Sequence, residues 1–298
     1  MVLGTILSYY LSLKLMDKMN EDSFDYDNST VTHIDFKIPL NKYEKCVSQD
    51  LIIAKNLDTN LKDVICPINV KDDIKFILDA LKNKIPKNIK LLDIPNGILF
   101  HGPPGTGKTM LAKAIAKESN IHFLNMNIST VENKFYGESP KILKAYFTLA
   151  EKLKPCIIFI DEMDGLFSVR NALDQSNVNS LKTLFLTLMD GLKARSKTIF
   201  VIGATNRLDQ LDFAVKRRLS NFIEFHNPSQ EDISKYLSNF ITLEDYSNVS
   251  EKIFQSSLSF SNIHELLKYS TKQRYLKNRH TNVWCDNDII EYIHLFKI

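Results

Sequence analysis

The chain has 298 residues, 44% of them hydrophobic and 24% charged, enough for one large globular domain or two modest ones. Its net charge of +3 comes without the concentrated basic stripe of a nucleic-acid binder, so no nucleic-acid partner is expected. Cys46, Cys66, Cys156 and Cys285 show neither metal-ligand spacing nor a C-x-x-C pair, and read as free thiols in a reducing compartment.

In chain order, residues 2–13 (VLGTILSYYLSL) carry no charge, and Lys14, Asp17 and Lys18 follow. Residues 1–16 are read as a single-pass membrane anchor. The run is shorter than the usual span of about 20 apolar residues, so Lys14 must snorkel to the interface. A helix lying on a surface and a signal peptide are the other readings; no basic region precedes the run as a signal peptide requires. The lysines after the segment place the rest of the chain on the cytosolic side. Residues 17–39 read as a polar linker. From 40 to about 95 the pattern is mixed, with a helical alternation between Asp63 and Leu81.

From Gly97 strands and helices alternate. GILF is a strand ending in a glycine-rich turn, MLAKAIAKES a helix and IHFLNM a strand. Ser139 is placed to cap a helix with Pro140 at its first position. Ile142, Leu143, Tyr146, Phe147, Ala150 and Leu153 share one face of that helix, which Pro155 closes. CIIFI is a buried strand, the repeat from Val178 to Met189 a helix stopped by Gly191, and TIFVI and FIEF two more strands. Continuous apolar strands between helices predict an α/β fold, a parallel sheet flanked by helices on both sides, over 40–227. After Pro228 the strands stop. A capping signal from Ser229 to Asp232 precedes Ile233, Tyr236, Leu237, Phe240 and Ile241 at helical spacing. Helical stretches around 263–276 and 288–296 complete a small all-helical domain over 228–298.

The turn after the first strand of this region reads GPPGTGKT, which fits the phosphate-binding loop G-x-x-x-x-G-K-[ST] in its proper strand–helix context. Gly102, Pro103, Pro104, Gly105, Thr106, Gly107, Lys108, Thr109 and Met110 are the candidate nucleotide-binding residues. Their backbone N–H groups wrap phosphates at a helix N-terminus, Lys108 reaches the β- and γ-phosphates, and the Thr109 hydroxyl ligates Mg²⁺. CIIFIDE ends in two acids. Asp161 is placed to hold Mg²⁺ and Glu162 to polarise the attacking water. Asn206, at the end of the IGATN stretch, orients that water or touches the γ-phosphate, unless it is a simple turn residue. Arg217 and Arg218 have no carboxylate close by in sequence. They are a surface basic pair or an arginine finger that completes a neighbour's site. In NKFYGES, Phe135 and Tyr136 stand side by side in a polar stretch, so they either fold back into a core or touch something outside the chain.

Taken together, GPPGTGKT, IIFIDEMD, GATNRLDQLD and AVKRR, in this order and spacing, resemble the AAA ATPases. The branch is the one containing katanin and spastin. KFYGESPKILKAYFTLAEKLKPCIIFIDEMD is most similar to its mitochondrial outer-membrane sorting members, which extract mislocalised tail-anchored proteins. The resemblance implies a P-loop NTPase large domain with a helical lid, ATP and Mg²⁺ as cofactors, a homo-hexamer, and polypeptide substrates at the mitochondrial outer membrane. It implies that Lys134, Phe135, Tyr136 and Gly137 line a central pore and grip the substrate chain. Three rival activities stand beside it: a microtubule-severing or membrane-remodelling ATPase, a weakly or non-hydrolysing ATP-gated scaffold, and a DNA-directed relative, which the mild charge and the aromatic pore loop oppose. The chain departs from the family at three places. Asn221 stands for a second arginine, Ile65 and Cys66 for glycines near the adenine, and FSN, ending at Asn262, for a glycine–serine–aspartate turn that Asn262 would still cap. These changes fall on base binding and subunit coupling, away from the phosphate loop.

Overall fold

The computed structural model describes residues 38–65, 68–82, 97–128, 131, 138–168, 175–195, 199–219, 221–277 and 284–296. The segment expected to be an anchor at 1–16, the expected linker up to residue 37, Cys66 and the expected pore loop Lys134–Gly137 lie outside the described residues.

The centre of the fold is a six-stranded sheet, β1 Leu51–Ile52, β2 Gly97–His101, β3 His122–Met126, β4 Cys156–Ile160, β5 Ile199–Thr205 and β6 Asn221–Glu224, in the order β1-β3-β4-β5-β2-β6. All neighbours are parallel except β1 and β3. β4 and β5 are buried along their whole length, which is why their sequences are unbroken apolar runs. The register pairs His101 with Thr205 and Ile160 with Gly203, so β2, β4 and β5 end at one edge of the sheet. In open α/β sheets ligands bind outside such carboxyl ends.

Helices cover both faces. α1 Lys42–Val47 precedes α2 Ile68–Leu81 and α3 Lys108–Ser119, and then come α4 Ser139–Leu153, α5 Met163–Phe167, α6 Gln175–Arg195 and α7 Phe213–Arg218. Because strand side chains alternate, Leu99, Ile158 and Val201 pack with Tyr146, Phe167 and Phe185 on one face, whereas Ile98, Phe100 and Phe159 pack with Ile77, Leu111 and Ile115 on the other. A separate core, with Ile233, Leu237, Val249, Ile253, Ile263 and Ile289, holds the C-terminal helices α8 Gln230–Ser238, α9 Ser247–Gln255, α10 Phe260–Leu276 and α11 Asn287–Ile290. Within it Arg274 pairs with Asp288 out of solvent and lies 4.7 Å from the centre of the Trp284 ring.

The segment before the sheet is fastened to α4. A capping box at Asn41 and Glu44 starts α1. Glu44, 1% exposed, meets the Lys152 ammonium at 2.5 Å, and Lys152 also donates to the Pro39 carbonyl at 2.9 Å. At the other end of α4 the Tyr43 hydroxyl donates to Glu138 at 3.3 Å, and the Lys141 ammonium lies 5.6 Å from the centre of the Tyr43 ring. In the middle, Tyr146 donates to Asp50 at 2.5 Å.

Several local expectations are corrected. Ser139 is the first residue of α4 and Glu138 the capping position, so Pro140 sits one place further in, still within the turn whose N–H groups need no helical partner. α6 runs through Gly191 to Arg195, because burial of Met189 and Leu192 outweighs a glycine penalty of about 1 kcal/mol. Asn262 is not a cap. Ser259 caps α10, and Asn262 donates from its amide side chain to the Phe296 carbonyl. α9, polar in composition and with few apolar positions, had no expectation attached to it.

Candidate functional site

The loop after β2 is shaped by its glycines. Gly105 (φ +72) passes so near α10 that a Cβ would lie 2.6 Å from the Ser259 hydroxyl, and Gly107 (φ +101) occupies the capping position of α3. Lys108 opens α3 and is only 7% exposed. Its ammonium donates to the carbonyls of Gly102 at 2.8 Å and Pro103 at 2.7 Å. The Thr106 hydroxyl donates to the same Pro103 carbonyl at 2.8 Å. Burial pushes the Lys108 amine below its usual pKa, against the carboxylates of Asp161 and Asp164, which push it up. A cation stripped of much of its water, beside the free N–H groups of a helix N-terminus, is an anion site.

Across the sheet edge, Asp161 follows β4 and accepts the Thr109 hydroxyl at 2.8 Å. Its other oxygen accepts the Glu162 backbone N–H at 2.9 Å. Glu162 is exposed, has φ +50 and stands at the capping position of α5. Asn206 follows β5 and is exposed. The turn carrying it is fixed by Thr205, whose hydroxyl donates to Asp164 at 2.6 Å and accepts the Arg207 N–H at 3.0 Å. Asp164 was missed by the sequence reading, although a third acid in IDEMD signals it.

One cavity of about 990 Å³ joins these groups; Pro104 to Met110, Asp161, Glu162 and Asn206 line it. Gly102 and Pro103 contribute through the carbonyls that hold Lys108. The volume is at the upper end of the usual range for small-molecule sites. Thr109 and Asp161 offer oxygen donors only, the set that suits Mg²⁺. Among the described residues no group of three or more His, Cys, Asp and Glu is gathered as a metal site, so phosphate and water oxygens would complete the ion's coordination.

The opposite wall belongs to the C-terminal helices and carries Tyr236, Phe240, Phe260 and His264, with Asp63 and Ile65 facing the same cavity. The Ser261 N–H donates to the Gly105 carbonyl at 3.1 Å and ties this wall to the phosphate loop. In the sequence Phe240 continues the helical spacing of Ile233, Tyr236 and Leu237. α8 ends at Ser238, the spacing breaks, and Phe240 is 54% exposed.

Arg217 and Arg218, at the end of α7, do not line the cavity. Arg218 grips both oxygens of Asp190 of α6 through its Nε and Nη2, at 3.1 and 2.8 Å, and donates from Nη1 to the Ala214 carbonyl at 3.3 Å. The carboxylate that is lacking nearby in sequence is supplied 28 residues away. Asn221, the departure at the second arginine, is the first residue of β6 and pairs with Ile98. No described helix is long and apolar enough to cross a membrane.

Residues 98–227 match the family described as "ATPase family associated with various cellular activities (AAA)". The chain is 39% identical over 195 residues to the human protein named outer mitochondrial transmembrane helix translocase, an alignment covering 64% of this chain and 54% of the relative. A Danio rerio protein of the same name is 34% identical over 238 residues, covering 78% and 66%. The Caenorhabditis elegans mitochondrial sorting homolog is 33% identical over 216 residues, covering 72% and 63%. The chain thus spans about half the length of the first of these relatives. A crystal structure of the FIGL-1 AAA domain shares the fold, with a TM-score of 0.72 at 23% identity over 86% of this chain and 89% of that one.

Proposed function

The chain belongs to the AAA ATPases, and from that membership we propose that it hydrolyses Mg-ATP to translocate polypeptide, extracting tail-anchored proteins from the mitochondrial outer membrane. The observation that carries the reading is the convergence of Lys108, Thr109, Asp161 and Glu162 on one cavity. The names of the relatives, a transmembrane helix translocase and a mitochondrial sorting homolog, support the substrate and the membrane.

In this reading Lys108 exchanges the carbonyls of Gly102 and Pro103 for the β- and γ-phosphate oxygens, a charge-assisted bond replacing two neutral ones. Thr109 and Asp161 would hold Mg²⁺, which supplies positive charge against the triphosphate. Asn206 orients a water, Glu162 accepts its proton as the oxygen attacks the γ-phosphorus, and the bond to the ADP oxygen breaks. The C-terminal helices act as a lid over the nucleotide. Arg218 serves a neighbouring subunit of a hexamer once it releases Asp190, and Lys134 to Gly137 grip the substrate in the pore.

The test uses vesicles bearing the full chain and a tail-anchored reporter. Mg-ATP should release the reporter to the supernatant, and Glu162→Gln should block release. A reporter retained on the vesicles while ATP turns over would leave an ATPase with another substrate.

A further inference from the structure

The two side chains assigned to the attacking water come from different strands. Glu162 follows β4 and Asn206 follows β5. The ladder between these strands ends where Ile160 pairs with Gly203, so both side chains stand on turns beyond it. A shift of about 1 Å between such groups is worth about a hundredfold in rate. What joins the two turns therefore matters to the chemistry.

The short helix α5 joins them. Its first residue, Met163, is fully buried and lies against β5 at Gly203, where a Cβ would come within 2.1 Å of the Met163 sulfur. The next residue, Asp164, accepts the Thr205 hydroxyl at 2.6 Å. That length belongs to a hydroxyl bound to a carboxylate, a bond roughly twice as strong as one between neutral groups. Thr205 is 1% exposed and stands at a crossing point. The same hydroxyl accepts the Arg207 N–H at 3.0 Å, which closes the turn around Asn206. Its carbonyl accepts the Gly102 N–H at 3.3 Å, at the start of the phosphate loop. Glu162 is the capping residue of α5, so the helix that holds Thr205 also carries the base. Neither Asp164 nor Thr205 lines the cavity, and any effect they have on the reaction passes through other side chains.

We propose that Asp164 and Thr205 are positioning residues for hydrolysis: their hydrogen bond sets Asn206 against Glu162 so that both meet one water. The inference rests on the ATPase reading and on the roles given there to Glu162 and Asn206. A hydroxyl has one proton to give. With that proton on Asp164 and the Arg207 N–H on its oxygen, Thr205 has a single rotor setting, and the turn is held at a fixed distance from α5.

The experiment uses the full chain, with Mg-ATP for turnover and a non-hydrolysable ATP analogue for affinity. Thr205→Val keeps the shape of the side chain and removes the hydroxyl. It should lower kcat by roughly tenfold to a hundredfold and leave the Kd of the analogue unchanged. Thr205→Ser restores the hydroxyl and should restore the rate. Asp164→Ala breaks the same bond from the α5 side, at a half-buried residue, and should lower kcat alike. In an Asn206→Ala background nothing is left to position, so Thr205→Val should add no further loss, whereas a general structural defect would still add one. If Thr205→Val and Asp164→Ala turn over at the wild-type rate, or if Thr205→Val slows the Asn206→Ala chain as much as it slows the wild type, this proposal alone is overturned. If Asn206→Ala hydrolyses ATP as fast as the wild type, or the wild type hydrolyses none, the reading beneath it falls and the proposal with it.

Discussion

The two ends of the cavity are built by different means. At the phosphate end the groups are atoms of a loop locked onto the sheet edge. Lys108 is tied to Gly102 and Pro103, Thr106 to Pro103, and Thr109 to Asp161, in bonds of 2.7–2.8 Å. At the aromatic end the groups are side chains of a separate helical unit with its own core, joined to the loop through Ser261 and Gly105. A charged ligand rewards donors held in place before it arrives, because a misplaced dipole in a dry site costs as much as a well-placed one gains. A flat apolar ligand rewards area, which many side-chain combinations supply. The departures at Ile65, Phe260 and Asn262 fall at or beside the second end.

Substitutions can break this contrast or sharpen it. Lys108→Ala should have the largest effect: loss of the ATP-induced rise in Tm and of all hydrolysis, read by thermal shift and phosphate release. A remaining ATP-dependent Tm shift would mean that the aromatic end binds nucleotide unaided. Glu162→Gln should reduce hydrolysis by at least roughly a hundredfold, with the Kd for ATP unchanged by calorimetry. A rate near wild type would remove Glu162 from the chemistry. Gly105→Ala strikes where the ends join, since its Cβ would meet Ser259 and its φ of +72 suits few side chains. It should lower stability by about 1–3 kcal/mol in urea unfolding and weaken ATP as well. An unchanged urea midpoint would show that the two ends move apart freely. Asp190→Asn should be mildest, below about 1 kcal/mol in stability, because the pair with Arg218 is half exposed. A larger loss would make Arg218 a structural residue of α7.

How much of this could be read from sequence follows the same division. The phosphate end lies in GPPGTGKT and IDE, where the spacing along the chain already dictates the geometry. The aromatic end does not. Tyr236 and Phe240 are four residues apart, as are Phe260 and His264, an ordinary spacing for a buried helical face. Only the end of α8 at Ser238 turns Phe240 outward. The Asp190 partner of Arg218 and the two-residue strand β1 are likewise set by tertiary packing and leave no local trace. The parallel sheet was legible because β4 and β5 are buried on both faces, and such strands have no polar alternation to confuse with a helix.

The fastening of α1 to α4 has a mechanical consequence. A rod pinned at one point swivels, but a rod pinned near both ends transmits torque. α4 has 15 residues, a length of about 22 Å at 1.5 Å per residue. It is pinned through Lys152 to Glu44 at one end and through Glu138 to Tyr43 at the other. The two pins sit on adjacent residues of α1, so α1 and α4 turn as one lever.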